Sequence, residues 1–294
     1  MYGIILDGIR NFTCVYFGKN IWKQVMEHVG FDIEVFVHNK YYSESLFKRI
    51  ITSITAITGM VEAELMHKCG ADLHEFFNLN GFKDMLDVVG RDLSGFIMCL
   101  DDVHHSMKSK FPKMQNPTFI VNSQDKDGIT ITYMSGRLGF ANYVIGILNS
   151  VANKIFHVFP IINIIVADVF NDHCKYKIEL KFNNSKYIQD KCNREKQIES
   201  LKAVQIEMSQ VESILPFCIF IDTNMKINSI GDCLKKAVPQ IWGANFGQVF
   251  EIVRPEIQPI FDLIKEYTNV TFTIQLSIDD NSKSSDILNS SLYK

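Results

Sequence analysis

The feature that most limits how this chain can fold is a change of hydrophobic period near residue 118. Before it, apolar residues recur at three- and four-residue spacing in GIILDGIRNFTCVYF, LFKRIITSITAI, VEAELMHKC and GFKDMLDVVGRDLSGFIMCLDDV, which is the stripe an amphipathic helix needs to bury one face. Gly18, Gly30, Gly59, Gly70 and Gly81 read as the breaks between these helices. After it the period falls to two in TFIVN and GITITYMS, which SQDKDG joins as the turn of a hairpin. Another helical stretch, GFANYVIGILNSVANKIF, leads into two more strand-like runs, IINIIVADVF and KYKIELKF. Helices first and strands after predict an α+β fold over residues 1–183, a helical subdomain with a small antiparallel sheet.

Beyond that point the pattern changes. Residues 184–210 are polar and charged, a linker or a solvated helix. Residues 211–278 predict a second, small α/β domain: strand PFCIFID, turn TNM, strand KINSIG, helix DCLKKAV and a later strand VTFTIQLSI. The final residues, 279–294, are rich in Ser and Asn and are expected to be a disordered tail.

Composition narrows the partners. With 30 Lys and Arg against 33 Asp and Glu the net charge is -3, so no field exists to hold a polyphosphate backbone and nucleic acid is excluded. The 7 Cys include no CxxC pair, which argues against a disulfide framework and against a thiolate metal cage and fits a reducing compartment. The start, MYGIILDGIRNF, mixes acid and base with its apolar residues, unlike a signal-peptide core. The longest apolar stretch, Tyr143 to Phe170, is broken by Asn149, Lys154 and Asp168 and cannot span a bilayer. A cytoplasmic protein with no membrane partner is the expectation.

Two groups of residues carry chemistry. In DDVHHSM the residues Leu93, Ile97, Leu100 and Met107 define a buried helix face, and His104 falls on it, whereas His105 is turned about 100° away. Such a histidine is a hydrogen-bonded core residue or a metal ligand, and its spacing suits both. In YMSGR, strand alternation puts Tyr133, Ser135 and Arg137 on one face, about 7 Å between successive side chains. A phenol, a hydroxyl and a guanidinium make a row of donors, and the guanidinium fork grips a carboxylate in two places. The ligand implied is a compact dianion; a solvent-facing edge with an incidental Arg would show the same pattern.

With MYG at the start, LDDVHHSMKSKFPKMQNPTF, YMSGR and YVIGI, the first 183 residues or so resemble the haem nitric-oxide/oxygen-binding domain of soluble guanylate cyclases, most of all the beta-type and atypical invertebrate subunits. The resemblance implies that His104 is the proximal ligand of a ferrous haem b, and that Tyr133, Ser135 and Arg137 clamp its propionates. Ile5 and Pro117 match residues that press on the macrocycle in the family, or they simply pack. Tyr143 stands where nitric-oxide-selective members carry an aliphatic residue. A phenol there implies a hydrogen bond to a bound gas, favouring oxygen over nitric oxide and carbon monoxide.

Residues 212–276, through LPFCIFIDTNMKINSIGDCLKKAVPQI and VFEIVRPEI, resemble the PAS-like domain of the same cyclases. In the family that domain passes the signal on and pairs with another guanylate cyclase subunit as a heterodimer. The family continues into a coiled coil and a cyclase domain beyond the last residue of this chain, so no catalytic residue is assigned. The function implied is the haem-based gas-sensing region of a guanylate cyclase in cyclic GMP signalling. The alternative is a haem-free dimerisation partner of a longer cyclase subunit.

Overall fold

The computed structural model describes residues 1–33, 35–200 and 206–277. The chain divides into two compact units, Met1–Gln189 and Asp190–Lys294. In the first, helices α1 (Gly3–Tyr16), α2 (Lys19–Val29), α3 (Glu44–Thr58), α4 (Glu62–Leu79), α5 (Lys83–Asp87) and α6 (Leu93–Met107) precede strands β1 (Thr118–Asp125) and β2 (Gly128–Ser135). Helix α7 (Ala141–Lys154) follows, then β3 (Ile161–Val169) and β4 (Cys174–Lys181). The strands form one antiparallel sheet in the order β1-β2-β4-β3, the α+β arrangement that the change of period predicts.

Two cores hold this unit. Leu6, Val25, Ile50 and Leu65 centre the core of α1 to α4, each fully buried. The other joins Ile97 of α6 and Leu148 of α7 to Ile131, Ile178 and Leu180 of the sheet. Each fully buried aliphatic side chain contributes about 1.5–3 kcal/mol.

Some expectations from the sequence are corrected. The stretch GFKDMLDVVGRDLSGFIMCLDDV is two helices, because Gly90 takes φ +77 between them and the Asp92 carboxylate accepts from the Gly95 amide at 2.7 Å to start α6. The hairpin turn is shorter than SQDKDG: β1 runs on to Asp125 through a bulge between Val121 and Ser123, and Asp125 pairs with Gly128.

Gly70 is no helix break. It lies inside α4, where a Cβ would come within 2.0 Å of the Tyr143 carbonyl oxygen. Likewise, a Cβ on Gly146 would meet the His67 carbonyl oxygen at 2.0 Å. The two glycines let α4 and α7 approach to backbone contact, running antiparallel. Gly70→Ala must push the helices apart, and overpacking of this kind costs about 1–3 kcal/mol. We therefore expect a melting temperature lower by several degrees, read by circular dichroism; an unchanged value would mean that the helices separate freely.

Helix α8 (Ser185–Ser200) runs through the polar stretch and across the division between the units. The second unit contains α9 (Met208–Ile214), β5 (Ile219–Ile221), β6 (Ile227–Ile230), α10 (Asp232–Ala237), α11 (Phe246–Val249), β7 (Phe250–Arg254), α12 (Phe261–Glu266) and β8 (Thr273–Leu276). Pairs β5-β6 and β7-β8 are antiparallel around Ile227, Ile230 and Ile241. Strand β7 has no counterpart in the sequence reading, since it is only 5 residues long and Pro255 follows it directly. The expected tail, 279–294, lies outside the described residues.

Candidate functional site

Between the two cores of the first unit lies an open cavity of about 1390 Å³, its mouth included. It borders all seven residues singled out by sequence: Ile5, His104, Pro117, Tyr133, Ser135, Arg137 and Tyr143. They come from α1, α6, the segment before β1, the end of β2 and α7, so tertiary packing assembles the set. His105 does not border the cavity, which separates the two adjacent histidines as the helical face requires.

His104 is oriented from within its own helix. Its Nδ1 lies 2.6 Å from the Leu100 carbonyl oxygen. A carbonyl only accepts, so Nδ1 carries the proton, and in the neutral ring Nε2 carries the lone pair. The imidazole also stacks on Phe119 of β1 at 5.9 Å. Fixing the far nitrogen in this way is how proteins hold a metal-ligating histidine in one tautomer and orientation.

The donor row sits on the middle of the sheet. Strand β2 pairs on both sides, with Phe119 and Tyr176 flanking Tyr133. Burial pushes the Tyr133 phenol up to about 12, against a hydrogen bond with Ser135 that lowers it, so it stays a donor. Alternation stops at Ser135; Arg137 lies in the bend beyond, where its amide donates to Ser135 Oγ at 3.0 Å. A short turn thus does what an extra strand residue was expected to do.

Arg137 is half committed. Its Nη2 donates to Glu44 Oε1 at 3.0 Å, and the Met1 ammonium donates to the same oxygen at 2.7 Å. Burial raises the Glu44 carboxyl, but these two cations outweigh it and hold it below its ordinary value. Arg137 Nε, by contrast, is buried and finds no hydrogen-bond partner among the described residues. An uncompensated guanidinium nitrogen beside a cavity is costly unless a ligand satisfies it. The Tyr143 hydroxyl is a second such atom, buried in the α7 wall without a hydrogen-bond partner among the described residues.

The rest of the lining is largely apolar. Among the described residues no cluster of three or more His, Cys, Asp or Glu could cage a metal. A metal held by His104 would therefore take most of its ligands from a cofactor. An imidazole, a row of carboxylate donors and apolar walls fit a flat metal macrocycle with acidic side arms, and haem has that composition. Two polar residues of this region escaped the sequence reading, His74 on the cavity wall and Glu44 behind it as the partner of Arg137. His74 lies on the buried stripe of α4 with Leu73, the same signal that selected His104. Glu44 carries no such signal, because an acid in the first turn of a helix is ordinary.

Residues 2–161 match the family described as Haem-NO-binding, and residues 204–292 match Heme NO binding associated. Soluble guanylate cyclase gcy-31 of Caenorhabditis elegans is 29% identical over 277 residues, 93% of this chain and 39% of that protein. Soluble guanylate cyclase 89Db of Drosophila melanogaster is 25% identical over 248 residues, 79% of this chain and 37% of that protein. The chain thus spans under half the length of these curated relatives. Among solved structures, an oxygen-binding H-NOX domain related to soluble guanylate cyclases aligns with TM-score 0.53 at 22% identity, covering 63% of this chain and 96% of the other. A second, from work on H-NOX activation, aligns with TM-score 0.56 at 20% identity, covering 63% and 97%. At these identities the structures establish the fold. No described helix is long and apolar enough to cross a membrane.

Proposed function

The chain belongs to the haem-NO-binding family, and from that premise we propose that it is the haem-based gas-sensing region of a cytoplasmic guanylate cyclase. The observation that carries the proposal is the gathering of His104, the donor row and Tyr143 around one apolar cavity. His104 Nε2 holds the iron of a ferrous haem, and Tyr133, Ser135 and Arg137 hold its propionates, with Ile5 and Pro117 against the ring. When bound, the haem supplies an iron that takes up a diatomic gas: oxygen, nitric oxide or carbon monoxide. Tyr143 donates a hydrogen bond on the gas side. Helix α6 would be the moving part, because His104 is tied through Nδ1 to the Leu100 carbonyl and a displacement of its ring would act on the helix backbone. The PAS-like unit passes that motion to another cyclase subunit.

The purified chain supplied with haem is expected to show a sharp Soret band that carbon monoxide shifts; a chain that takes up no haem refutes the reading. On its own the chain is expected to form no cyclic GMP from GTP, and formation above a haem-free control would overturn the division of labour. Arg137→Ala leaves both a propionate and Glu44 short of a charged partner. A hydrogen bond to a charged group contributes about 1.5–3 kcal/mol, so haem loss to apomyoglobin is expected to be about tenfold to a hundredfold faster, and an unchanged rate would remove Arg137 from the clamp.

A further inference from the structure

His74 has no part in the reading above, yet it borders the same cavity. Among the described residues, the cavity-lining side chains of α4 are Leu73, His74 and Phe77, and those of α7 are Tyr143, Val144, Ile147, Leu148 and Val151. Only His74 and Tyr143 of this set are polar. Gly70 brings α4 into backbone contact with α7 at Tyr143, and His74 follows Gly70 by one turn on the same side of the helix. Its side chain is buried, at 5% exposure.

The wall that carries His104 is a different one. Helix α6 packs against β1, and the His104 ring lies on Phe119. Two imidazoles therefore meet one cavity from separate elements, and iron has two axial positions. Of the lining side chains on α4 and α7, an aliphatic or phenyl group offers iron nothing. The Tyr143 phenol is a poor ligand because burial pushes its pKa well above its ordinary value and keeps it protonated. A neutral imidazole needs no proton loss to ligate.

We propose that His74 is a second iron ligand of this protein, filling the sixth position when no gas is bound and leaving it when a gas arrives. The inference rests on the haem reading. The exchange breaks one coordination bond, from the His74 nitrogen, and forms one from the gas; no electron moves and the imidazole departs neutral. His74 then sets the threshold for the sensor, because the apparent gas affinity falls by the fraction of molecules whose sixth position is vacant. If about nine molecules in ten carry the internal ligand, that factor is about ten.

The test uses the full chain reconstituted with haem. Electron paramagnetic resonance and absorption spectra of the ferricyanide-oxidised protein are expected to show a low-spin iron with two imidazoles. His74→Leu, of similar volume and apolar, is expected to turn the signal high-spin and to tighten carbon monoxide binding by the ferrous form about tenfold. His67→Leu, on the same helix but away from the cavity, is expected to change neither. Should the Leu variant fail to fold, His74→Met keeps a ligating atom, and a low-spin signal with an altered spectrum is expected. High-spin wild-type iron, or a low-spin signal that survives unaltered in the variants, overturns the proposal while leaving the haem reading intact. A chain that takes up no haem overturns both.

Discussion

His104→Gly is expected to shift the haem spectrum away from that of the wild type and to restore it when imidazole is added, while His105→Gly leaves the spectrum and its response unchanged. The contrast is sharp because the two rings are neighbours in sequence and differ only in direction. His104 borders the cavity and has its Nδ1 proton tied to the Leu100 carbonyl, so deletion removes one oriented nitrogen and leaves space that a free imidazole fills. His105 faces elsewhere on α6. Its removal shortens a side chain without opening the cavity. A wild-type spectrum in the His104 variant would sink the assignment, as would an equal response to imidazole in both variants.

Tyr143→Phe is expected to have opposite effects on function and stability. The Tyr143 hydroxyl is buried without a hydrogen-bond partner among the described residues, and an unsatisfied buried donor costs about 1–3 kcal/mol. Phe keeps the ring, which packs edge-on against Phe140 at 5.6 Å, and removes the stranded group. The haem-free variant should therefore be as stable as the wild type or more so, by about 1 kcal/mol. With haem, the same change removes the donor that would meet a gas. Oxygen draws electron density from iron and becomes a charged acceptor, whereas nitric oxide and carbon monoxide do so far less. A hydrogen bond to a charged group contributes about 1.5–3 kcal/mol, or a factor of about ten to a hundred in affinity. The ferrous variant is thus expected to lose oxygen retention by that factor and to keep nitric oxide. A Tyr that serves only the core would behave in reverse: its replacement would leave oxygen retention alone. Equal oxygen retention in the two proteins removes Tyr143 from the gas side.

The sequence was legible where a local period carries the information. A three-to-four stripe requires a helix, and its phase separates His104 from His105 because side-chain direction on a helix follows from residue number alone. Alternation in GITITYMS likewise put Tyr133 and Ser135 on one face, which pairing on both sides of β2 then made rigid. Neither property depends on neighbouring elements.

Where the outcome depended on what packs against a segment, local pattern failed. Gly70 has the look of a helix break, but its lack of a side chain serves α7, a segment some 70 residues away, and only the close approach of two backbones reveals that. Arg137 belongs to the donor row by a turn rather than by strand alternation. Its partner Glu44 comes from the start of α3, and a pairing over such a distance leaves no mark on either segment. The sequence by itself determined most elements of the first unit and the candidate residues His104, Tyr133 and Ser135, because propensity, period and donor type are properties of short stretches. Tertiary structure alone decided that Ile5, His74, His104, Tyr133 and Tyr143 share one cavity, because a cavity is made by the packing of elements that are remote in the chain.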